Sequence, residues 1–422
     1  MKLWHKVILG LILGIAFGYF MGQTDVVRGM GYDPEHILTR YVKPIGIVFI
    51  NLIKMVVIPL IFFSLISGVT SMVDQAAFKR VGLKSVGIYM LTSAFAITIG
   101  LFFAHMFEPG IGVDLSQLRA MAGEAATNAA KPVEADLIQL FVDIVPTNIV
   151  KAMAEDRVLQ VVVFAIFVAM TMNSVRDKAP MVVEFCHQCA QIVFKLIETI
   201  IKFSPYGVFA LTSWVVGTQG FEILEALAWL VVVVFLALGT QFMIAGLMVV
   251  VFARLSPKPF YKKMLEPQSI AFSTSSSKAT LSTVMRVMNE RIGVSKSSTS
   301  FVLPLGASIN MDGTAIYLAI CSLFFAQAFG IPLGMEHYMV LIMTATLGSI
   351  GAAGIPGGSL IMMGMVLTSV GLPLEGIALI AGIDRILDMM RTAVNVTGDG
   401  AVTLIVDKSE GLLDEEMYYK DV

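Results

Sequence analysis

Apolar residues run along this chain in long blocks rather than at the spacing of a half-buried helix or strand. A short basic start (Lys2, His5, Lys6) leads into an apolar stretch from Val7 to Met21. Further stretches fall near 45–72, 86–107, 136–173, 185–217, 224–253, 298–328, 338–350 with 358–370, and 374–406. About 20 apolar residues are needed for a helix to cross a bilayer, so most of these blocks are long enough to span. The first block resembles a signal peptide, but Gly22-Gln23-Thr24 lacks a small-x-small cleavage site and spans continue after it. It is therefore read as the first transmembrane helix.

The polar gaps set an orientation. Lys79, Arg80 and Lys84 fall between the second and third blocks, and Arg176 and Lys178 between the fourth and fifth. Arg254, Lys258, Lys262, Lys263, Arg286, Arg291 and Lys296 cluster between the sixth and seventh, whereas 329–337 has no Lys or Arg. The basic gaps are predicted to be cytoplasmic, with the amino terminus inside. Residues 109–135 form the one long polar linker. Two further segments, Phe260–Arg291 with a serine-rich centre and 338–370 with a glycine-rich centre, are each flanked by pieces too short to span. Irregular backbone at membrane depth survives only where it is buried in protein or lines a cavity. Interrupted segments of this kind point to a transporter's substrate site.

Composition agrees with the block pattern. Of 422 residues, 57% are apolar and only 14% are charged, against about 25% charged in a soluble domain. Mean hydropathy is +0.82. This is the make-up of a polytopic helical membrane protein with about eight to ten spans; it excludes a soluble enzyme and a disordered chain. With 29 basic against 31 acidic residues and a formal charge of −2, no cationic surface for nucleic acid is present. Cys186, Cys189 and Cys321 cannot form a full disulfide framework. Cys186-His187-Gln188-Cys189 has a metal-like spacing but no second ligand pair, and a closed zinc site needs about four ligands. These residues are read as helix packing.

Three clusters are out of place in a bilayer. In the last span Asp384, Asp388, Arg391, Asn395 and Asp399 step by 4, 3, 4 and 4, a stripe within about 80° on one helix face. Three acids and one Arg at membrane depth cost on the order of 10 kcal/mol. A buried ion-pair stripe gluing helices is the bland account, but Arg391 can neutralise only one of three acids. The stripe reads as a polar face for a zwitterionic solute and its cations. The sequon-like Asn395-Val396-Thr397 then lies inside the span. The second cluster, Asn310-Met311-Asp312-Gly313-Thr314, interrupts the apolar run from Phe301 to Phe325. Gly is poor helix chemistry, so Asp312-Gly313 is predicted to be unwound, freeing hard oxygens for Na⁺. A helix cap is the alternative. The third comprises the tips Ser273–Thr280 and Gly351–Ser359, where helix starts point N–H groups at a carboxylate; the glycines permit a gate.

These motifs resemble, in order and spacing, the dicarboxylate/amino acid:cation symporters, a family that includes archaeal aspartate transporters and animal excitatory amino acid transporters. The likeness covers most of the chain and is densest from Phe272 to Asp399. It implies an all-α polytopic membrane protein with eight transmembrane helices plus two re-entrant helical hairpins, organised as scaffold and elevator-type transport domains. On this resemblance 1–80 hold scaffold helices 1–2, 81–108 helix 3 of the transport domain and 109–135 the linker. Scaffold and trimerisation helices 4–5 occupy 136–220, the transport core 221–407 and a cytoplasmic tail 408–422.

The resemblance also implies roles. Asp388 resembles the acceptor of the substrate's amino group and Arg391 the grip on its side-chain carboxylate, a task that suits a planar guanidinium. Thr392, Asn395 and Thr314 resemble further substrate contacts, with backbone near Ser277 and Gly357 cradling the α-carboxylate. Asp399 and Asn395, with Gly306 and Asn310 oxygens, resemble one Na⁺ site. Asp312 with Asn310, Tyr89, Thr92 and Ser93 resembles a second, and Ser308, Ser349, Ile350 and Ala352 backbone oxygens a third. The family usually carries a second arginine at the position of Ser275 or just after Asp388. Here those positions are Ser275 and Met389, leaving Arg385 or Lys278 to compensate. Animal members carry a glutamate directly after Tyr317; here it is Leu318, which favours simple Na⁺ symport. Arg391 favours aspartate or glutamate over neutral amino acids.

The expected protein is thus no enzyme but an importer of acidic amino acids coupled to Na⁺, with added H⁺ coupling left open. It is expected to be a homotrimer embedded in lipid of the cell inner membrane, with both termini cytoplasmic. A C4-dicarboxylate symporter is the alternative within the family. An intramembrane aspartyl protease built on Asp312 and Asp399, or a plain ion channel, would have no use for Arg391 beside Asp388.

Overall fold

The computed structural model describes residues 3–22, 33–70, 76–113, 145–155, 157–219, 222–349 and 358–420, with Val27 and Val142 as single positions. The described residues form helices and turns, with no strands among them. The longer helices are α1 (Leu3–Gly22), α2 (Lys43–Thr70), α3 (Ala76–Phe107), α4 (Val158–Ser174), α5 (Pro180–Ile201), α6 (Ser204–Gln219) and α7 (Glu222–Met248). Then follow α8 (Pro257–Thr274), α9 (Ser277–Val287), α10 (Lys296–Ile309), α11 (Asp312–Ala328), α12 (Met335–Ser349), α13 (Gly358–Ser369), α14 (Asp384–Ser409) and the short α15 (Glu415–Tyr419).

Two packing groups emerge. In the first, α2 packs against α4, α5 and α6, and α1 lies along α6. The α1–α6 contact follows from a repeat of glycines every fourth residue. A Cβ on Gly14 or Gly18 would come within 2.9 Å of the Phe209 carbonyl oxygen or 2.6 Å of that of Ser213. Small residues at this spacing let two backbones touch. In the second group α14 is central, with α7, α8, α9, α10 and α11 around it, and α3 lies against α10 and α11. Residues 296–328 are buried throughout their apolar window, whereas the windows in Val81–Phe107 and Leu224–Ala253 are 39% and 44% buried. Leu91, Phe102, Met243 and Leu247 face outward on α3 and α7. Exposed apolar area on this scale marks a surface that meets something other than water. These three stretches are long and apolar enough to cross a membrane.

Several elements differ from the sequence expectation. The stretch 185–217 is two helices, parted at Lys202–Phe203. Pro205 sits at the new start, where its missing N–H is tolerated and its ring would clash with a continuing helix. Lys79, Arg80 and Lys84 lie on α3 rather than in a loop. The last stretch is a short helix, Ile377–Ala381, followed by α14. The interruption in 298–328 is present but falls at Asn310 and Met311; Asp312 and Gly313 already belong to the first turn of α11.

The first serine-rich segment is helix–tip–helix. Ser275 takes the left-handed conformation at φ 51° that ends α8, and the Ser276 hydroxyl accepts the Ala279 N–H at 3.2 Å to start α9. The base of this hairpin is clasped. Lys263 is 4% exposed, and its ammonium donates to the Arg291, Met417 and Tyr418 carbonyl oxygens at 2.8, 2.8 and 2.7 Å. Tyr418 in turn donates to the Ser256 carbonyl at 2.7 Å.

Candidate functional site

The α14 stripe is buried as its period predicts: Asp384, Asp388, Arg391, Thr392, Asn395 and Asp399 are each less than a tenth exposed. The Arg391 side chain is wholly enclosed. One guanidinium nitrogen, Nη2, donates to Ser359 Oγ at 2.8 Å, Asp384 Oδ1 at 2.8 Å and Asp388 Oδ1 at 3.1 Å. The guanidinium carbon stands 3.9 Å from the centre of the Tyr317 ring, a cation–π distance. The other two nitrogens, Nε and Nη1, are buried and have no hydrogen-bond partner among the described residues. A desolvated cation with two unpaired donors is a costly arrangement, and a planar carboxylate is the group that suits such a fork.

The two residues named as substitutes for a second arginine part ways here. Arg385 Nη1 lies 3.9 Å from Asp388 Oδ2, so it shares the acid with Arg391. Lys278 points elsewhere: its ammonium sits over the Phe194 ring of α5 at 5.0 Å. Ser277 and Thr314 are buried at the first turns of α9 and α11.

The break between α10 and α11 faces the stripe one turn further along. Asn310 Nδ2 donates to Asp399 Oδ1 at 2.9 Å, and the Gly313 N–H donates to Asn395 Oδ1 at 2.7 Å. The approach is close enough to require glycine: a Cβ on Gly313 would lie 2.8 Å from the Arg391 carbonyl oxygen. A Cβ on Gly306 would lie 2.6 Å from both Asp399 Oδ1 and Tyr89 Oη. From α3, Thr92 donates to Asn310 Oδ1 at 3.2 Å and Ser93 to Asp312 Oδ1 at 3.2 Å. The second Asp312 oxygen receives Gln241 Nε2 at 2.9 Å.

Thr92, Ser93, Asn310, Asp312 and Asp399 are thus brought together as expected. The Tyr89 side chain borders them, but its hydroxyl donates to the Val302 carbonyl at 3.1 Å, so the phenol itself is committed. The Ser308 hydroxyl bonds back to Pro304 at 3.0 Å. Ser349 closes α12, and Ile350, Ala352 and Gly357 lie outside the described residues.

Three contributors carried little sequence signal: Gln241, a lone amide in an apolar run; Ser359, one hydroxyl after a glycine-rich stretch; and Tyr317, an aromatic in an apolar span. Only the spacing of Asp384 and Arg391, two turns apart, foreshadowed their pairing. Carboxylate, amide and hydroxyl oxygens converge on one side and unpaired guanidinium donors on the other. Of four buried acids here, Asp384 and Asp388 lie against guanidiniums, whereas Asp312 and Asp399 are held by the neutral donors Ser93, Gln241 and Asn310. Hard cations are the natural complement of the surplus oxygens.

Comparison with known proteins places the whole chain among transporters. The chain is 35% identical over 414 residues to a proton/sodium-glutamate symport protein of Geobacillus stearothermophilus, covering 97% of this chain and 95% of that one. It is 33% identical over 424 residues to a proton/glutamate-aspartate symporter of Escherichia coli (strain K12), covering 97% and 93%. A C4-dicarboxylate transport protein of Bacillus subtilis (strain 168) is 32% identical over 419 residues, covering 98% and 96%. Residues 3–409 match the model of one family, and with these relatives the chain belongs to the sodium:dicarboxylate symporter family.

Proposed function

We propose that this protein is a secondary symporter that carries aspartate or glutamate into the cell together with Na⁺. Cation-coupled symport of an acidic solute follows from the family and from relatives named for glutamate, aspartate and C4-dicarboxylates. One observation carries the choice of solute: Arg391, fully buried, holds two guanidinium nitrogens without partners among the described residues. They would take the side-chain carboxylate, while Asp388 would take the amino group. Thr392, Asn395 and Thr314, with backbone near Ser277 and Gly357, would complete the grip.

Cations are cargo here. Asp312, Asn310, Thr92 and Ser93, beside Tyr89, would hold one; Asp399, Asn395, Gly306 and Asn310 a second. Ser308, Ser349, Ile350 and Ala352 oxygens would form a third. Coupling then has a direct cause. The empty pocket is anionic, so a bound cation lowers the cost of admitting an anion, and the anion does the same for the cation, by equal factors.

The wider architecture belongs to this reading too: eight spans, two re-entrant hairpins and a homotrimer in the inner membrane with both termini cytoplasmic. The helices packed around α14 would slide as a unit against the group around α2. The packing of α3 and α7–α11 around α14 supports 81–108 and 221–407 as the moving unit, with 109–135 as linker and 408–422 as tail. A C4-dicarboxylate is the second reading, favoured by the pairing of Asp388 with both Arg391 and Arg385, which would offset its charge when no amino group arrives. Proteoliposome uptake of labelled aspartate, with a Na⁺ or choline gradient and with unlabelled glutamate or succinate as competitor, tests all of this. Uptake indifferent to Na⁺, or blocked by succinate alone, would overturn the proposal.

A further inference from the structure

Asp312 has a partner that the roles above do not use. Gln241 lies on α7 in the run Leu230–Val250, an otherwise apolar stretch apart from Thr240, and is 4% exposed. Its Nε2 donates to Asp312 Oδ2 at 2.9 Å. Its other polar atom, Oε1, is buried with no hydrogen-bond partner among the described residues. A leucine or methionine would fill this site without stranding a carbonyl oxygen, and a stranded carbonyl is costly in a desolvated place. An amide held at one end by a carboxylate, with a bare oxygen at the other, suits a group that meets a cation during the working cycle. Amide oxygens are hard donors of the same class as those from Asn310, Thr92 and Ser93.

We infer that Gln241 is a further residue of the Asp312 cation site, fixing one carboxylate oxygen through Nε2 and giving its unpaired Oε1 to the ion as an added ligand. This rests on the reading of Asp312 as a cation site. It extends that site to a helix, α7, from which none of the expected ligands comes. It also explains why one amide interrupts an apolar helix: the ion, when bound, supplies a partner for Oε1.

The test is Na⁺ binding to the purified full chain without amino acid, titrated in NaCl against choline chloride and followed by thermal stabilisation. Gln241→Met keeps the volume and removes both polar atoms. It is expected to raise the half-saturating Na⁺ concentration at least fivefold while leaving aspartate affinity at saturating Na⁺ within twofold. A smaller Na⁺ shift overturns the inference, since a residue that only packs would tolerate methionine. Gln241→Glu keeps the oxygens and drops the N–H donors. It should hold the Na⁺ midpoint within threefold of the parent; a loss as large as that of methionine would leave Gln241 orienting Asp312 and overturn the ligand role. Should the methionine variant not fold, Gln241→Asn, which draws the amide back by one methylene, takes its place under the same fivefold criterion. Asp312→Asn separates the two readings. If it leaves the Na⁺ titration unchanged, the Asp312 site itself fails; if it weakens binding while Gln241→Met does not, only the role of Gln241 fails.

Discussion

Replacing Arg391 with lysine isolates the guanidinium fork from its charge. In the structure one nitrogen is spent on Ser359, Asp384 and Asp388, and the remaining two are buried without a hydrogen-bond partner among the described residues. Each charge-assisted hydrogen bond from these to a substrate carboxylate is worth about 1.5–3 kcal/mol, or about 3–6 kcal/mol for both. Lysine leaves a positive charge between Asp384 and Asp388, which avoids the larger penalty of unpaired buried acids. It loses the bidentate geometry. We expect a net loss of about 2–4 kcal/mol, roughly 30- to 1,000-fold in Kd for aspartate. Calorimetric titration at saturating Na⁺ measures this. Serine, which lacks the side-chain carboxylate, serves as the second axis of a thermodynamic cycle and should change less than threefold. Equal losses for both ligands would mean that lysine damages the pocket generally, and an aspartate Kd within threefold of the parent would refute the grip outright.

Other perturbations probe the remaining parts. Asp312→Asn should weaken Na⁺ binding and, at subsaturating Na⁺, aspartate binding with it, because a bound cation favours the anion; weaker Na⁺ binding with aspartate affinity unchanged at subsaturating Na⁺, read by calorimetry, would uncouple the sites. Gly306→Ala would place a methyl carbon 2.6 Å from Asp399 Oδ1 and Tyr89 Oη, so the carboxylate must move; at least a tenfold weaker Na⁺ dependence of uptake is expected, with trafficking and thermal stability nearly kept. Lys263→Met strands three carbonyl oxygens, at about 1–3 kcal/mol each where water cannot reach them. A lower melting temperature and faster tryptic cleavage at Lys408 are the expected signs, and an unchanged digest would refute the clasp.

What could be read from residues alone followed from local periodicity. Asp384, Asp388, Arg391, Asn395 and Asp399 share a face because helix geometry needs only their spacing. The α10–α11 interruption was legible because Asn310 and Gly313 are poor helix interior residues, although the break sits two residues before the Asp312-Gly313 pair. Pro205 splits a stretch whose hydropathy is continuous, so a hydropathy reading runs straight through it. Pairings across the fold left no such trace. Lys278 near a serine-rich tip looked like a spare cation for the pocket, yet it lies over Phe194, and the bonds of Lys263 to 417 and 418 join residues 154 and 155 apart in sequence. Gln241 has no periodic companion, so only its distance to Asp312 reveals it.

The joint at Asn310–Gly313 carries one more implication. Within four successive residues, the first and last touch α14 at two neighbouring turns, Asn310 on Asp399 and Gly313 on Asn395, while Thr92 reaches Asn310 and Ser93 reaches Asp312 from α3. A tug on the Asn310 amide therefore arrives beside Arg391 through three peptide bonds and one short contact, with no relay across the bundle. The thermodynamic conversation between ion and solute can be confined to this strip, and a scan of double-mutant couplings should fall away sharply beyond it.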